Sequence, residues 1–247
     1  MKTYRDEAIV LRTHKLGEAD RILTLLTRHH GQSRAVAKGV RRTSSRFGGR
    51  LEPFNHIDVQ LYRGRNLDTV TQVESIHPYS DALARDFDKY TRAAVMAETA
   101  LKLTDDDVEA GPQQFLLLLG ALHALATGRI SGQLVMDSYL LRAFAVAGWA
   151  PSFFDCAVCG ASGPHRSFHV GAGGAVCDTC RPPGSASPDP KAMELLGSLL
   201  SGDWQEAEDS SARVRGEASG LVAAFVQWNM ERRLRSLSLI RHFPEGS

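Results

Sequence analysis

Apolar and polar residues alternate along the first third of the chain, and apolar residues recur every three or four positions after it. Ala8-Ile9-Val10-Leu11 is a short run rich in β-branched residues, and Arg21-Ile22-Leu23-Thr24-Leu25-Leu26 follows a Gly17-Glu18-Ala19-Asp20 turn. Gly31 opens Ser33 to Lys38. Ile57, Val59 and Leu61 alternate with Asp58, Gln60 and Tyr62, the period of a half-buried strand. Leu67 to Val73 follows a Gly64-Arg65-Asn66 turn. Five strands in about 70 residues suffice for a small closed sheet, either an oligonucleotide-binding (OB) barrel or an SH3-like one. The longest gap lies between the third and fourth strands and leaves room for a short helix.

From Pro78 the period changes. Asp81 to Leu103 carries Leu83, Phe87, Tyr90, Ala94, Ala97 and Leu101 at helical spacing. Pro112 to Thr127 is apolar almost all round, which predicts a buried bundle helix ended by Gly128. Ser131 is placed to cap a third helix running to about Ala147, with Gly148 to stop it. Two more helices are expected, Pro190 to Leu200 and Ala212 to Arg235, beyond a Pro/Gly/Ser-rich connector at 182–190. The expected domains are 1–77, a barrel; 78–151 with 190–247, a helical domain; and 152–189, a cysteine module with its connector.

That module has the spacing Cys156-x2-Cys159, 17 residues, Cys177-x2-Cys180. Two such knuckles make a closed tetrahedral thiolate site for one structural Zn²⁺, with Gly160 suiting the first turn. Disulfides or free thiols are the alternatives, and His165 and His169 lie close by. About 30 residues this rich in glycine cannot bury a core of their own, so the ion would supply the folding energy.

Composition adds a few limits. Apolar residues make up 43% of the 247, enough for a sizeable core. Met1 to Val10 lacks the apolar stretch of a signal peptide, and the run Phe115 to Ala126 is too short for a membrane span. The expected location is therefore the cytoplasm, without a membrane partner. Residues 1–75 hold 14 basic against 8 acidic residues and the remainder 15 against 20, so a total of +1 hides a net +6 and a net −5. Arg34, Lys38, Arg41, Arg42, Arg46 and Arg50 fall in one stretch without an acidic residue, a candidate phosphate footprint. Phe47, the aromatic among them, could stack on a base, although packing against the barrel is its more ordinary role. No P-loop, H-E-x-x-H or G-x-S-x-G motif is present. Asp105-Asp106-Asp107 reads as a solvated loop, His29-His30 as a surface turn, and Leu116 to Leu119 as core rather than a partner groove. Nothing argues for an enzyme.

Gly17-Glu18-Ala19-Asp20-Arg21-Ile22-Leu23-Thr24-Leu25-Leu26-Thr27, then His30-Gly31 and Ala35-Val36-Ala37-Lys38-Gly39-Val40-Arg41-Arg42, closely resemble the N-terminal signature of the RecO family of bacterial recombination mediators. Leu51-Glu52-Pro53-Phe54 and Leu61-Tyr62-Arg63-Gly64 continue the likeness, which runs through the cysteine pairs to Arg232-Arg233-Leu234-Arg235-Ser236-Leu237. The resemblance implies a five-stranded OB barrel joined to a helical domain bearing a zinc-ribbon-like four-cysteine module. It implies binding to single- and double-stranded DNA, strand annealing, and work with RecR in helping RecA displace the single-strand-binding protein SSB, whose C-terminal tail is a further partner. The alternatives are a zinc-ribbon adaptor between proteins, or a sequence-specific duplex- or RNA-binding regulator.

Overall fold

The computed structural model describes residues 2–105 and 111–230. The chain divides into two compact units, Met1–Thr127 and Gly128–Ser247.

The first unit is built on five strands, β1 (Thr3–Leu16), β2 (Asp20–Thr27), β3 (Gly31–Ala37), β4 (His56–Tyr62) and β5 (Asp68–His77). They close into a barrel in the order β1-β2-β3-β5-β4, antiparallel everywhere except the β3–β5 seam. This is the OB arrangement, and it removes the SH3-like alternative. Alternation along the strands sends Ala8, Val10, Leu23, Leu25, Ala35, Ala37, Ile57, Val59 and Leu61 into the barrel. A bulge between Val10 and Arg12 bends β1. There the Phe54 N–H donates to Val10 O (2.8 Å) and Val10 N–H to Asn55 O (3.1 Å). The expected short helix between β3 and β4 is one 3-10 turn, Gly48–Leu51. Phe47 and Leu51, each 1% exposed, join the barrel core from it, so Phe47 is not available to stack on a base. Buried Asn55 ties this turn to the chain just beyond β5. Its amide donates to Gly49 O and Arg50 O, and its Oδ1 accepts from Ser80 N–H at 2.9 Å.

The helix expected over 81–103 is two helices, α1 (Tyr79–Leu83) and α2 (Phe87–Leu103). Asp86 breaks it, because its carboxylate caps α2 by accepting from Lys89 N–H at 3.1 Å. Of the expected apolar stripe only Leu83 and Ala97 are buried. Phe87 is 71% and Tyr90 43% exposed, while Ala93, Val95, Met96, Ala97 and Ala100 are buried. Small side chains permit the closer approach, and α2 packs against β1 and α3. Helix α3 (Gly111–Thr127) lies on β1, β2 and β3. It buries one stripe, Gln114, Phe115, Leu118, Leu122 and Leu125, and leaves Leu116 54% exposed. It is thus an outer-layer helix and not an all-round buried one. Glycine suits its first residue, since a Cβ on Gly111 would stand a tight 3.0 Å from Gly31 Cα.

The β2–β3 turn contains an arrangement that the sequence reading passes over as a surface turn. Asp6, 5% exposed, accepts from His29 Nδ1 (2.8 Å), His30 Nδ1 (2.7 Å) and His29 N–H (3.0 Å). Burial alone would raise its carboxyl; the hydrogen bonds from His30 and His29 outweigh it and hold the group below its ordinary value. Asp105 accepts from Gln32 Nε2 at 2.9 Å, and Asp106 and Asp107 lie outside the described residues.

The second unit packs α4 (Gly132–Val146), α5 (Pro190–Ser201) and α7 (Ala212–Asn229) pairwise, with Phe144 and Phe225 edge to face at 5.8 Å. Ser131 is the N-cap of α4 without a side-chain hydrogen bond, whereas Asp189 and Ser211 cap α5 and α7 with theirs. A short helix, α6 (Trp204–Glu208), intervenes where none was expected. Asp203 Oδ1 accepts from Glu206 N–H, and Ser198 Oγ donates to Glu206 Oε2, which fixes it on α5. Helix α7 stops at Asn229, earlier than the expected Arg235, because Met230 is extended. Residues 231–235, and the Arg232 to Leu237 segment, lie outside the described residues. Among those described, no helix is long and apolar enough to cross a membrane.

Candidate metal centre and nucleic-acid interface

The cysteine module occupies the chain between α4 and α5. Its scaffold is a hairpin of β6 (Ser167–His169) and β7 (Gly174–Val176), with Phe153 stacked on Phe168 at 6.1 Å. The first knuckle closes with Gly160 N–H donating to Cys156 O at 2.8 Å, and Gly160 takes the positive φ of 72° that favours glycine there. The second closes with Cys180 N–H donating to Cys177 O at 3.1 Å. The two knuckles face each other, and all four Sγ atoms lie within 4.8 Å of one another. Cys159 and Cys177 Sγ are 3.8 Å apart. A disulfide needs about 2.05 Å. A tetrahedral ion with metal–sulfur bonds of about 2.3 Å sets its sulfurs about 3.8 Å apart. The spacing therefore fits a shared metal ion, and all four cysteines are free thiols.

Electrostatics agree with the geometry. Backbone N–H groups of Cys177, Cys159 and Val158 pull the Cys156 thiol down to about 6, while the Cys177 and Cys159 side chains push Cys180 up to about 12. Four crowded sulfurs cannot all be thiolates without a countercharge, and a bound dication supplies it. Each neighbouring histidine has one ring nitrogen in a local hydrogen bond. His165 Nε2 donates to Ala161 O and His169 Nδ1 accepts from Ala172 N–H.

The six basic residues of the first unit separate into two kinds. Arg34 stands exposed on β3, while Lys38, Arg41, Arg42, Arg46 and Arg50 stand exposed on the connector after it. Arg41 is a clasp: its guanidinium donates to Gly17 O (3.2 Å) and Glu18 O (2.8 Å), and its N–H to Ala19 O (2.9 Å). Arg46 lies over the Phe47 ring at 4.8 Å, and Arg50 donates to Arg46 O and Phe47 O. Arg34, Lys38 and Arg42 make no side-chain hydrogen bond or ion pair among the described residues, so their charges face solvent.

The strand register adds residues outside that stretch. Arg12 pairs with Thr24 and Thr24 with Arg34, so the two arginines share a cross-strand row on the outer face of β1, β2 and β3. The next row is His14, Ile22 and Val36. Arg12 stands 22 positions from Arg34 in the sequence, and only the pairing of β1 with β2 brings them together.

Comparison with known proteins gives the chain a family. The family model described as recombination protein O N terminal matches residues 1–79, and the one described as recombination protein O C terminal matches 84–238. A DNA repair protein RecO of Nocardioides sp. strain JS614 is 58% identical over 240 residues, covering 96% of this chain and 98% of its own. Those of Thermobifida fusca and Streptomyces coelicolor are 56% and 54% identical, each covering 97% of this chain and 99% of theirs. With an OB barrel, a four-cysteine cluster set among helices and this likeness over nearly its whole length, the chain belongs to the RecO family of DNA repair proteins.

Proposed function

We propose that this chain binds single- and double-stranded DNA through the outer face of its barrel, anneals complementary strands, and acts with RecR to help RecA replace SSB on DNA. The observation that carries the DNA part is a set of cations with no side-chain partner among the described residues: Arg12 and Arg34 in one cross-strand row, and Lys38 and Arg42 exposed on the connector after β3. Arginine engages phosphate in two parallel hydrogen bonds, and a cationic face lowers the repulsion between two approaching strands. Arg41, Arg46 and Arg50 add charge while holding the loop in shape. These cations are read as phosphate contacts, so binding is largely independent of sequence, and the action is by binding rather than by turnover. In this reading 1–77 is the DNA-binding domain, 78–151 with 190–247 the helical domain and site of partner contacts such as the SSB tail, and 152–189 the metal module. The compact units cut across that division, because α1 to α3 pack with the barrel.

The metal ion is Zn²⁺, held by Cys156, Cys159, Cys177 and Cys180. Four thiolates close its coordination sphere, so its part is structural. The chain works in the cytoplasm, at the nucleoid.

The test is a titration of random-sequence fluorescent single strands against salt. Six phosphate contacts give a slope of log affinity on log salt of about −4, and Arg34→Gln/Arg42→Gln flattens it by about 1.4. An unchanged slope in the variant moves the footprint elsewhere. A wild type that ignores DNA at low salt favours a zinc-ribbon adaptor, and preference for one duplex over scrambled competitors favours a sequence-specific regulator.

A further inference from the structure

The first unit contains a second set of metal-ligating side chains, unrelated to the cysteines and independent of the DNA-binding reading. His56 opens β4 and His77 ends β5, and the two are cross-strand partners. Their Nδ1 atoms are 3.2 Å apart. The rings lie within 12° of parallel with centroids 5.4 Å apart, so the two nitrogens point at each other. With no ion present this contact is an N–H···N hydrogen bond, with one nitrogen protonated and the other not.

Three surrounding contacts prepare these rings for another role. His56 Nε2 lies 3.0 Å from Glu7 Oε2, and Glu7 is itself held by Arg28 at 2.9 Å. A histidine whose far nitrogen donates to an anchored carboxylate is fixed in the tautomer that leaves its other nitrogen free to ligate. His77 stacks on Tyr79 with centroids 5.4 Å apart. His123, exposed on α3, has its centroid 6.4 Å from that of His77, and its Nδ1 is 3.3 Å from the Tyr79 hydroxyl, which leaves Nε2 without a partner among the described residues. All these residues lie within the first unit.

We propose that His56 and His77, through Nδ1, and His123, through Nε2, form a site for one divalent transition-metal ion of the imidazole-preferring class, such as Zn²⁺. Two nitrogens on a tetrahedral Zn²⁺, at bonds of about 2.0–2.1 Å, stand about 3.3 Å apart, close to the separation already present. The four cysteines are the only group of three or more ligand atoms already gathered within 4.8 Å among the described residues. The histidine site therefore requires the exposed His77 ring to pivot and His123 to swing in. Three imidazoles leave a fourth position for water. The site would pin the start of α1 and the middle of α3 to the barrel.

The experiment uses the full chain with its cysteine site first saturated by one equivalent of Zn²⁺. Further Zn²⁺ is then followed by calorimetry and by long-range ¹H–¹⁵N spectra of the imidazoles. The proposal expects one more equivalent to bind and the Nδ1 signals of His56 and His77 to shift. It expects His77→Gln and His123→Gln each to weaken that step at least tenfold, and Glu7→Gln to weaken it about tenfold through loss of the orienting carboxylate. His29→Gln and His30→Gln leave it unchanged. His77 and His123 are exposed, so their variants fold. If the loaded chain takes up no second ion, or either His77→Gln or His123→Gln binds as tightly as the wild type, the site does not exist.

Discussion

The barrel and the cysteine module solve the same problem, a short stretch of β-structure that must hold its shape, by opposite means. The barrel closes on itself, so every strand has a partner on both sides and a shared apolar interior from Ala8 to Val70. The module has one hairpin of two three-residue strands and buries few large side chains, Phe153 and Phe168 among them. What the barrel obtains from packing, the module obtains from four converging sulfurs. The barrel's stability is consequently spread over many residues and the module's concentrated in one point.

That contrast can be broken most forcefully at the sulfurs. Stripping the ion, or Cys177→Ser, should unfold 152–189 while the barrel persists, because binding at such sites supplies about 10–16 kcal/mol of apparent folding free energy. Hydrogen exchange by mass spectrometry reads this directly, and protection retained across the module would refute it. In the barrel the largest single loss is expected at Phe47→Ala, about 3–5 kcal/mol by urea denaturation, because Phe47 is fully enclosed in the core. A smaller effect should follow Asp6→Asn, about 1–3 kcal/mol, since His29 and His30 lose an ionised acceptor. The sign of its pH dependence is fixed. A carboxyl held low in the folded state stabilises above its unfolded value of about 3.9, and that contribution disappears as pH falls through the lower folded value. The gap between wild type and variant should therefore close below about pH 4; a gap that stays constant would show that Asp6 contributes by packing. Smallest is Ser211→Ala, about 1 kcal/mol, from the loss of the cap on Val214 N–H at the start of α7.

Much of this architecture was legible from periodicity and spacing. Five strands, the 3-10 turn in the longest gap and the convergence of Cys156, Cys159, Cys177 and Cys180 all rest on local rules. The misses share a cause, which is that contacts far apart in sequence decide them. Phe87 and Tyr90 have helical spacing, yet α2 turns its small residues inward because the barrel surface admits a close helix. Asp86 is the exception, a local cap that starts α2 afresh within a stretch that periodicity would carry through. Helix α3 looks buried all round because composition cannot tell how many of its sides will be covered. The pairing of Asp6 with His29 and His30, and of Arg12 with Arg34, appears only once β1 lies against its neighbour. In the candidate DNA site, charge counting found six cations but missed Arg12, and it could not separate Arg41, spent on two carbonyls, from Arg42, which has no side-chain partner among the described residues.

The 3.8 Å between Cys159 and Cys177 Sγ has a further consequence. The proximity that suits four sulfurs to one ion also places them within easy reach of each other once the ion leaves. In an oxidising solution without free metal the emptied knuckles would cross-link, and metal added afterwards would no longer restore them until the disulfides were reduced. Loss and recovery of the ion would then trace different paths. A bound ion would in this sense be a protecting group, guarding four thiols from one another, and the module's history of oxidation would be written in how much metal it can still take back.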